Sequence, residues 1–349
     1  MRYKLLGHTG LRVAEMALGT MTFGPEWGWG ADEAEARKIF DAYTEAGGNF
    51  VDTANKYTDG TAERMVGQFV AADRERFVVG TKYTLSTRPD DPNAAGSHRK
   101  NLVQALDASL RRLGIDYVDV YWVHIWDAMT PLDELMRALD DMVRAGKVLY
   151  LGISDAPAWV VARANTLAEA RGWTPFSALQ CPYSLVERSV ERELLPMARA
   201  LDLAFTAWGC LGSGVLTGKY NRDRAGGGGR IESTGMESAR SEHNLAIAAE
   251  VVAVASEIGA TPSQVALSWV RQQPGVVIPV VGASKAHQLV DNLGALDVVL
   301  DVGQLERLDQ ASAIELGFPH DFSRAVSTLT YGAAAELIDD HRHQAPPPA

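Results

Sequence analysis

From about residue 32 the chain alternates two patterns. An amphipathic run of helix formers is followed by a short turn, then by four to seven apolar residues rich in Val, Ile, Tyr and Phe. Strands are predicted at 15–18, 49–53, 77–82, 118–124, 148–153, 177–182, 203–208 and 276–281. Helices are predicted at 33–45, 62–71, 99–113, 131–145, 158–170, 190–200 and 242–258. The strands are apolar almost throughout, without polar alternation, as a parallel sheet buried on both faces requires. Asp155, and Thr130 with Pro131, read as helix starts; Gly114 and Gly146 read as helix ends.

Eight strands with at least seven helices favour an α/β fold of the (β/α)8 TIM-barrel type over a doubly wound sheet. No Gly-x-Gly-x-x-Gly follows the first strand, so the Rossmann alternative lacks its main signature. Residues 3–5 and 11–13, joined through Thr9 and Gly10, read as an N-terminal β-hairpin able to plug the barrel bottom. A long loop, 211–241, follows strand seven and contains a glycine run at 226–229. The expected division is a barrel over 1–335 and a flexible tail over 336–349, with prolines at 346–348.

Composition removes several function classes. A chain of 349 residues, 46% apolar, is long enough for a large core. Its 33 basic and 44 acidic residues give a net charge of -11, with no basic patch for nucleic acid or an anionic membrane. No stretch approaches the roughly 20 apolar residues of a membrane span, and the N-terminus lacks the apolar core of a secretory signal. Two cysteines, Cys181 and Cys210, suit a reducing compartment, and a cytoplasmic location is expected. A metal hydrolase on a barrel needs clustered His and carboxylate ligands at strand ends. Only His124 is so placed, whereas His341 and His343 lie in a polar tail, so no metal is expected.

In such a barrel the chemistry sits at the carboxyl ends of the strands. Asp52, Lys82 and His124 close three successive strands, and Tyr57 lies in the loop leaving the first of these. Each has a plainer reading alone: a helix cap for Asp52, a rim ion pair for Lys82, a buried histidine for His124, packing for Tyr57. Together they describe an acid. A lysine beside a phenol lowers the tyrosine pKa from about 10, and an aspartate holds the lysine charged. Such a phenol can give a proton to a carbonyl oxygen as negative charge develops there.

Five ordered stretches carry a resemblance: Asp52-Thr-Ala-Asn-Lys-Tyr57, Gly80-Thr-Lys82, Asp119 to His124, Gly146-Lys-Val-Leu-Tyr-Leu-Gly-Ile-Ser154 and Leu216-Thr-Gly-Lys-Tyr220. On these the chain resembles the aldo-keto reductase superfamily over nearly all its length. The resemblance implies a catalytic tetrad of Tyr57, Asp52, Lys82 and His124. It also implies reversible reduction of an aldehyde or ketone by hydride from NADPH, with Tyr57 as general acid and His124 orienting the carbonyl oxygen.

For NADPH/NADP+ the resemblance implies Gly19, Thr20, Met21 and Asp52 around the nicotinamide ribose, Ser154 with Asp155 and Gln180 at the carboxamide, and Trp208 stacked on the ring. Lys219 and Arg230, bracketing the long loop, are candidates for the pyrophosphate or 2′-phosphate, and Leu211 is a further candidate cofactor contact. Gly282, Ser284 and Lys285 fall near the 2′-phosphate, and Gln288, Asp291 and Asn292 near adenine. A helix N-terminus carrying a lysine suits an anion.

The chain departs from the family at three places: Asp155 where asparagine is common, Gly209 and Cys210 where Ser-Pro is common, and Thr58 after the tyrosine where glycine is usual. Trp27, Trp29 and Trp126 on mouth loops, with Tyr57 and His124, are the candidate substrate contacts, and the partner is a small carbonyl or alcohol. The alternative function is an NADPH-binding redox-sensing regulatory subunit with little turnover. Neither the individual substrate nor the oligomeric state follows from the sequence.

Overall fold

In the computed structural model, residues 1–222 and 237–338 are described. The chain divides into two compact units, Met1–Ser312 and Ala313–Ala349. The break lies before the expected boundary at 335; from 339 onward the expected tail lies outside the described residues.

Strands β1 (Tyr3–Leu5) and β2 (Arg12–Ala14) form an antiparallel hairpin. Eight further strands follow: β3 (Ala17–Gly19), β4 (Phe50–Asp52), β5 (Val78–Tyr83), β6 (Val118–Val123), β7 (Val148–Ser154), β8 (Phe176–Pro182), β9 (Ala204–Trp208) and β10 (Val277–Val281). They close in the order β10-β3-β4-β5-β6-β7-β8-β9, every neighbouring pair parallel. The protein is a (β/α)8 barrel, and the apolar runs read from the sequence are its staves.

Helices α1 (Glu33–Glu45), α2 (Thr61–Val70), α3 (Arg99–Leu113), α4 (Leu132–Arg144), α5 (Ala158–Arg171) and α6 (Leu194–Ala200) alternate with the strands. After β9 come α7 (Lys219–Arg222), α8 (Glu242–Ile258) and α9 (Pro262–Arg271), then α10 (Ala286–Leu293) and α11 (Val302–Ala311) after β10. The sequence reading ended its helix at 258 and predicted none over 262–271. Thr261 and Gln264 form a reciprocal capping box there, with Pro262 at the first helical position. Gly114 closes α3 at φ 66°, as expected. Asp155 is not the start of α5: that helix opens after Pro157, and the aspartate is engaged elsewhere. Among the described residues no single helix is long and apolar enough to cross a membrane.

The hairpin seals the barrel at the strands' amino ends. Leu6 is fully buried, Lys4 Nζ donates to the Val277 carbonyl at 2.6 Å, and the His8 N–H donates to Asp202 at 2.8 Å. Gly7 makes this approach possible: at φ +59° a Cβ there would lie 2.5 Å from the carbonyl oxygens of Asp202 and Ser177. Inside the barrel Trp122 is completely buried, over Gly152, where a Cβ would come within 2.2 Å of the indole. With the bottom closed and the interior filled, the carboxyl ends of the strands form the open rim.

Candidate active site

Asp52 ends β4 and Lys82 lies one residue from the end of β5; both are buried, Lys82 completely. The Lys82 ammonium is in ion-pair contact with Asp52 Oδ2, donates to the Thr53 carbonyl at 3.0 Å, and donates to the Tyr57 hydroxyl at 3.1 Å. All three of its N–H donors are thus used. Gln180 Nε2 donates to the other Asp52 oxygen at 3.3 Å, so the carboxylate is held from β8 as well. His124, just beyond β6, stands edge-to-face with Tyr57 at 5.7 Å between ring centres. The four expected residues therefore meet, within one mouth.

Tyr57 is positioned by a tight turn. Thr58 and Asp59 take left-handed backbone angles, φ 45° and 52°, in a region non-glycine residues rarely adopt. Thr58, where the resemblance led to an expectation of glycine, is compensated: its hydroxyl donates to the Phe23 carbonyl at 2.6 Å and accepts from the Ala62 N–H at 3.1 Å. It ties the tyrosine's turn to the first βα loop.

The electrostatics correct one expectation. Burial raises the Tyr57 pKa above its ordinary value, and Lys82 only partly opposes this, so the phenol stays protonated instead of moving towards working pH. Lys82 has the opposite balance. Burial works against its charge, yet Asp52 and Tyr57 together lift its pKa, which keeps it cationic. Burial also pushes the Asp52 carboxyl up, against Lys82 and Gln180. His124 is depressed to about 3, by burial and then by Lys82, and is a neutral imidazole at physiological pH. Its buried Nδ1 has no partner among the described residues.

Other expected residues ring the same mouth. Gly19 ends β3 opposite Asp52, and Thr20 donates to the Asp52 carbonyl through both its N–H and its hydroxyl, each at 3.0 Å. Met21 is half-buried beside it. Ser154 and Gln180 are buried and paired in register on β7 and β8. Trp208 ends β9, 41% exposed after four buried residues. Its indole N–H donates to Asp155 Oδ1 at 3.2 Å, which is where the aspartate is engaged.

The remaining assignments are more loosely held. Leu211 is half-buried at the start of the long loop, and Lys219 lies over the Tyr220 ring at 4.6 Å. Arg230 lies outside the described residues, as does the glycine run at 226–229. Gly282 is exposed, and Gln288 Oε1 accepts from the Ser284 N–H, the Ser284 hydroxyl and the Lys285 N–H at 3.2–3.3 Å. Asp291 is turned to packing, accepting from Thr261 and Gln264, and Asn292 is buried. Cys210 is buried, its thiol pushed up to about 12, so it is no thiolate. No group of three or more His, Cys, Asp and Glu among the described residues is arranged to hold a metal.

Trp27 and Trp29 face each other at 5.6 Å and are half-buried. Trp126 meets Trp159 edge-to-face at 5.8 Å, and both are exposed, together with Ile125 and Met129. Sequence reasoning missed Trp159. The available signal was a tryptophan in the first turn of a helix that opens directly above a strand end.

Comparison with known proteins identifies the family. The Aldo/keto reductase family model matches residues 15–313. Norsolorinic acid reductase of Aspergillus flavus is 35% identical over 337 residues, 94% of this chain and 85% of that protein. An aryl-alcohol dehydrogenase of Pestalotiopsis microspora is 38% identical, covering 92% of this chain and 85% of its own length. The NADP(+) aryl-alcohol dehydrogenase of Phanerodontia chrysosporium is 36% identical, covering 89% and 86%. The chain belongs to the aldo/keto reductase family.

Proposed function

We propose that this protein reduces aromatic aldehydes or ketones reversibly with NADPH, using Tyr57 as general acid. The observation that carries the reading is the Tyr57 hydroxyl receiving a hydrogen bond at 3.1 Å from a fully buried, cationic Lys82, beside a neutral His124.

The residues present fit a nicotinamide dinucleotide. Trp208 offers an exposed aromatic face, Ser154 and Gln180 offer paired buried polar groups, and Lys219 and Lys285 offer cations further along the rim. The NADP(+) named for the Phanerodontia chrysosporium relative supports the phosphorylated form. When bound, the cofactor supplies hydride to the carbonyl carbon.

The chain's own residues handle the proton. Tyr57 holds it until negative charge appears on the carbonyl oxygen, because burial keeps the phenol neutral. Lys82 then faces the phenolate, and Asp52 keeps Lys82 charged throughout. His124, neutral, is a hydrogen-bond donor that orients the carbonyl oxygen without competing as an acid. The exposed Trp126 and Trp159 pair favours flat aromatic substrates, in keeping with the aryl-alcohol dehydrogenases among the relatives.

The test follows NADPH absorbance with a panel of aromatic and aliphatic carbonyls, in the wild type and in Tyr57→Phe. Turnover should favour the aromatic members and fall about 100- to 10,000-fold in the variant, with NADPH affinity kept. Near-normal turnover in the variant overturns the proton-donor assignment. Tight NADPH retention without turnover on any carbonyl overturns the enzymatic reading.

A further inference from the structure

Asp155 sits at a junction. It follows Ser154 at the end of β7 in a left-handed conformation, φ 48°, with its N–H donated to the Gln180 carbonyl at 3.1 Å. Its carbonyl accepts from the Trp126 N–H at 3.4 Å, and its carboxylate accepts from the Trp208 indole at 3.2 Å. One residue thus joins the strand floor, the Trp126 loop and the exposed indole.

The charges of the four central residues cancel. Asp52 and Lys82 compensate each other, His124 is neutral, and Tyr57 is protonated. Asp155 forms no salt bridge among the described residues; its carboxylate is held by the Trp208 indole, and Lys82, already paired with Asp52, is the cation that acts on it. Burial raises its pKa, while the Trp208 N–H, the Ser154 hydroxyl and the Lys82 charge oppose that shift.

We propose that Asp155 is a counter-charge for the oxidised nicotinamide, so that the site holds NADP+ more tightly relative to NADPH than a neutral residue there would. The proposal rests on the cofactor reading above, with the ring on Trp208. Losing hydride turns a neutral ring into a cation, and a carboxylate hydrogen-bonded to the indole under that ring distinguishes the two by charge. A partly buried carboxylate is screened far less than one in water, so the preference is large. An asparagine at this position would make no such distinction, since an amide carries no net charge.

Asp155→Asn isolates the charge. Asparagine tolerates positive φ, and its Oδ1 still accepts from Trp208, so fold and indole position are kept. Asp155→Gly is the second variant, removing the carboxylate with a residue at ease in this conformation. NADP+ and NADPH are titrated separately into each protein by quenching of tryptophan fluorescence, with thermal unfolding followed alongside. In both variants the ratio of NADPH to NADP+ dissociation constants should fall by about tenfold or more. An indole also favours the cationic ring, so Asp155→Asn, which keeps the acceptor for Trp208, is the variant that assigns the change to the carboxylate charge. Binding of both dinucleotides with an unchanged ratio overturns this proposal alone. A wild type that binds neither overturns the cofactor reading and this proposal with it.

Discussion

The two sides of the barrel mouth are built on different principles. On the β4 to β6 side, Asp52 and Lys82 are shut away from solvent and bind each other, Tyr57, Thr53 and Gln180. On the β9 to β10 side, Trp208 is 41% exposed, Lys219 and Lys285 stand in solvent, and Ser284 and Lys285 are held through Gln288. The first side spends folding free energy on two desolvated charges, and its geometry is set before any ligand arrives. The second keeps its charges hydrated, so each is worth little to the fold. A substitution on the first side should damage stability and turnover together; on the second it should change binding alone.

The largest expected effect comes from Lys82→Met, which leaves Asp52 buried without its cation. Stability should drop by about 3–5 kcal/mol and kcat by about 100- to 10,000-fold. Adding Asp52→Asn to the same chain removes the orphaned charge. The double variant should recover most of the stability and none of the activity, read by denaturant unfolding and steady-state kinetics. If Lys82→Met alone unfolds like the wild type, the buried pair is not what holds this side together.

A smaller effect belongs to His124. Its pKa is about 3 in the folded protein against an ordinary 6.5, so between those values the unfolded chain binds more protons. Its contribution is therefore intact above about pH 6.5 and is lost as pH falls towards 3, at about 1.4 kcal/mol per unit. Between pH 7 and 4.5 the wild type should lose about 2–3 kcal/mol more than His124→Asn, measured as unfolding free energy at the two pH values. Equal losses would show that the imidazole is not held neutral.

What the sequence revealed and what it hid divide along similar lines. The strands were legible because a parallel sheet buried on both faces leaves uninterrupted apolar runs, and Asp52, Lys82 and His124 were legible because those runs end on them. The sign of the Tyr57 shift was not. A lysine's charge can be read from its position, whereas the burial that outweighs it depends on how the whole mouth packs. Asp155 was read as a helix cap because an aspartate just before a helical run is a strong local signal; its partner, Trp208, lies 53 residues further along. Trp159 escaped for the same reason, since only the folded chain sets it against Trp126. Long-range pairings of this kind have no period to detect.

The smallest effect tests the exposed side directly. Lys285 is exposed just ahead of α10, where the Ala286 N–H donates to the Glu35 carboxylate at 2.8 Å. That carboxylate already occupies the helix's first free donor, so Lys285 is left as the nearer source of attraction for a 2′-phosphate. Lys285→Met should weaken NADPH by about fivefold and leave NADH unaffected, because exposed charge pairs contribute about 1 kcal/mol or less. Raising the salt concentration should shrink the difference between wild type and variant, as hydrated charges are screened over about 8 Å at physiological ionic strength. The melting temperature should not move, which is the contrast with Lys82. Equal weakening of NADH and NADPH would remove Lys285 from the 2′-phosphate, and a loss of stability would mean that this rim is built like the other.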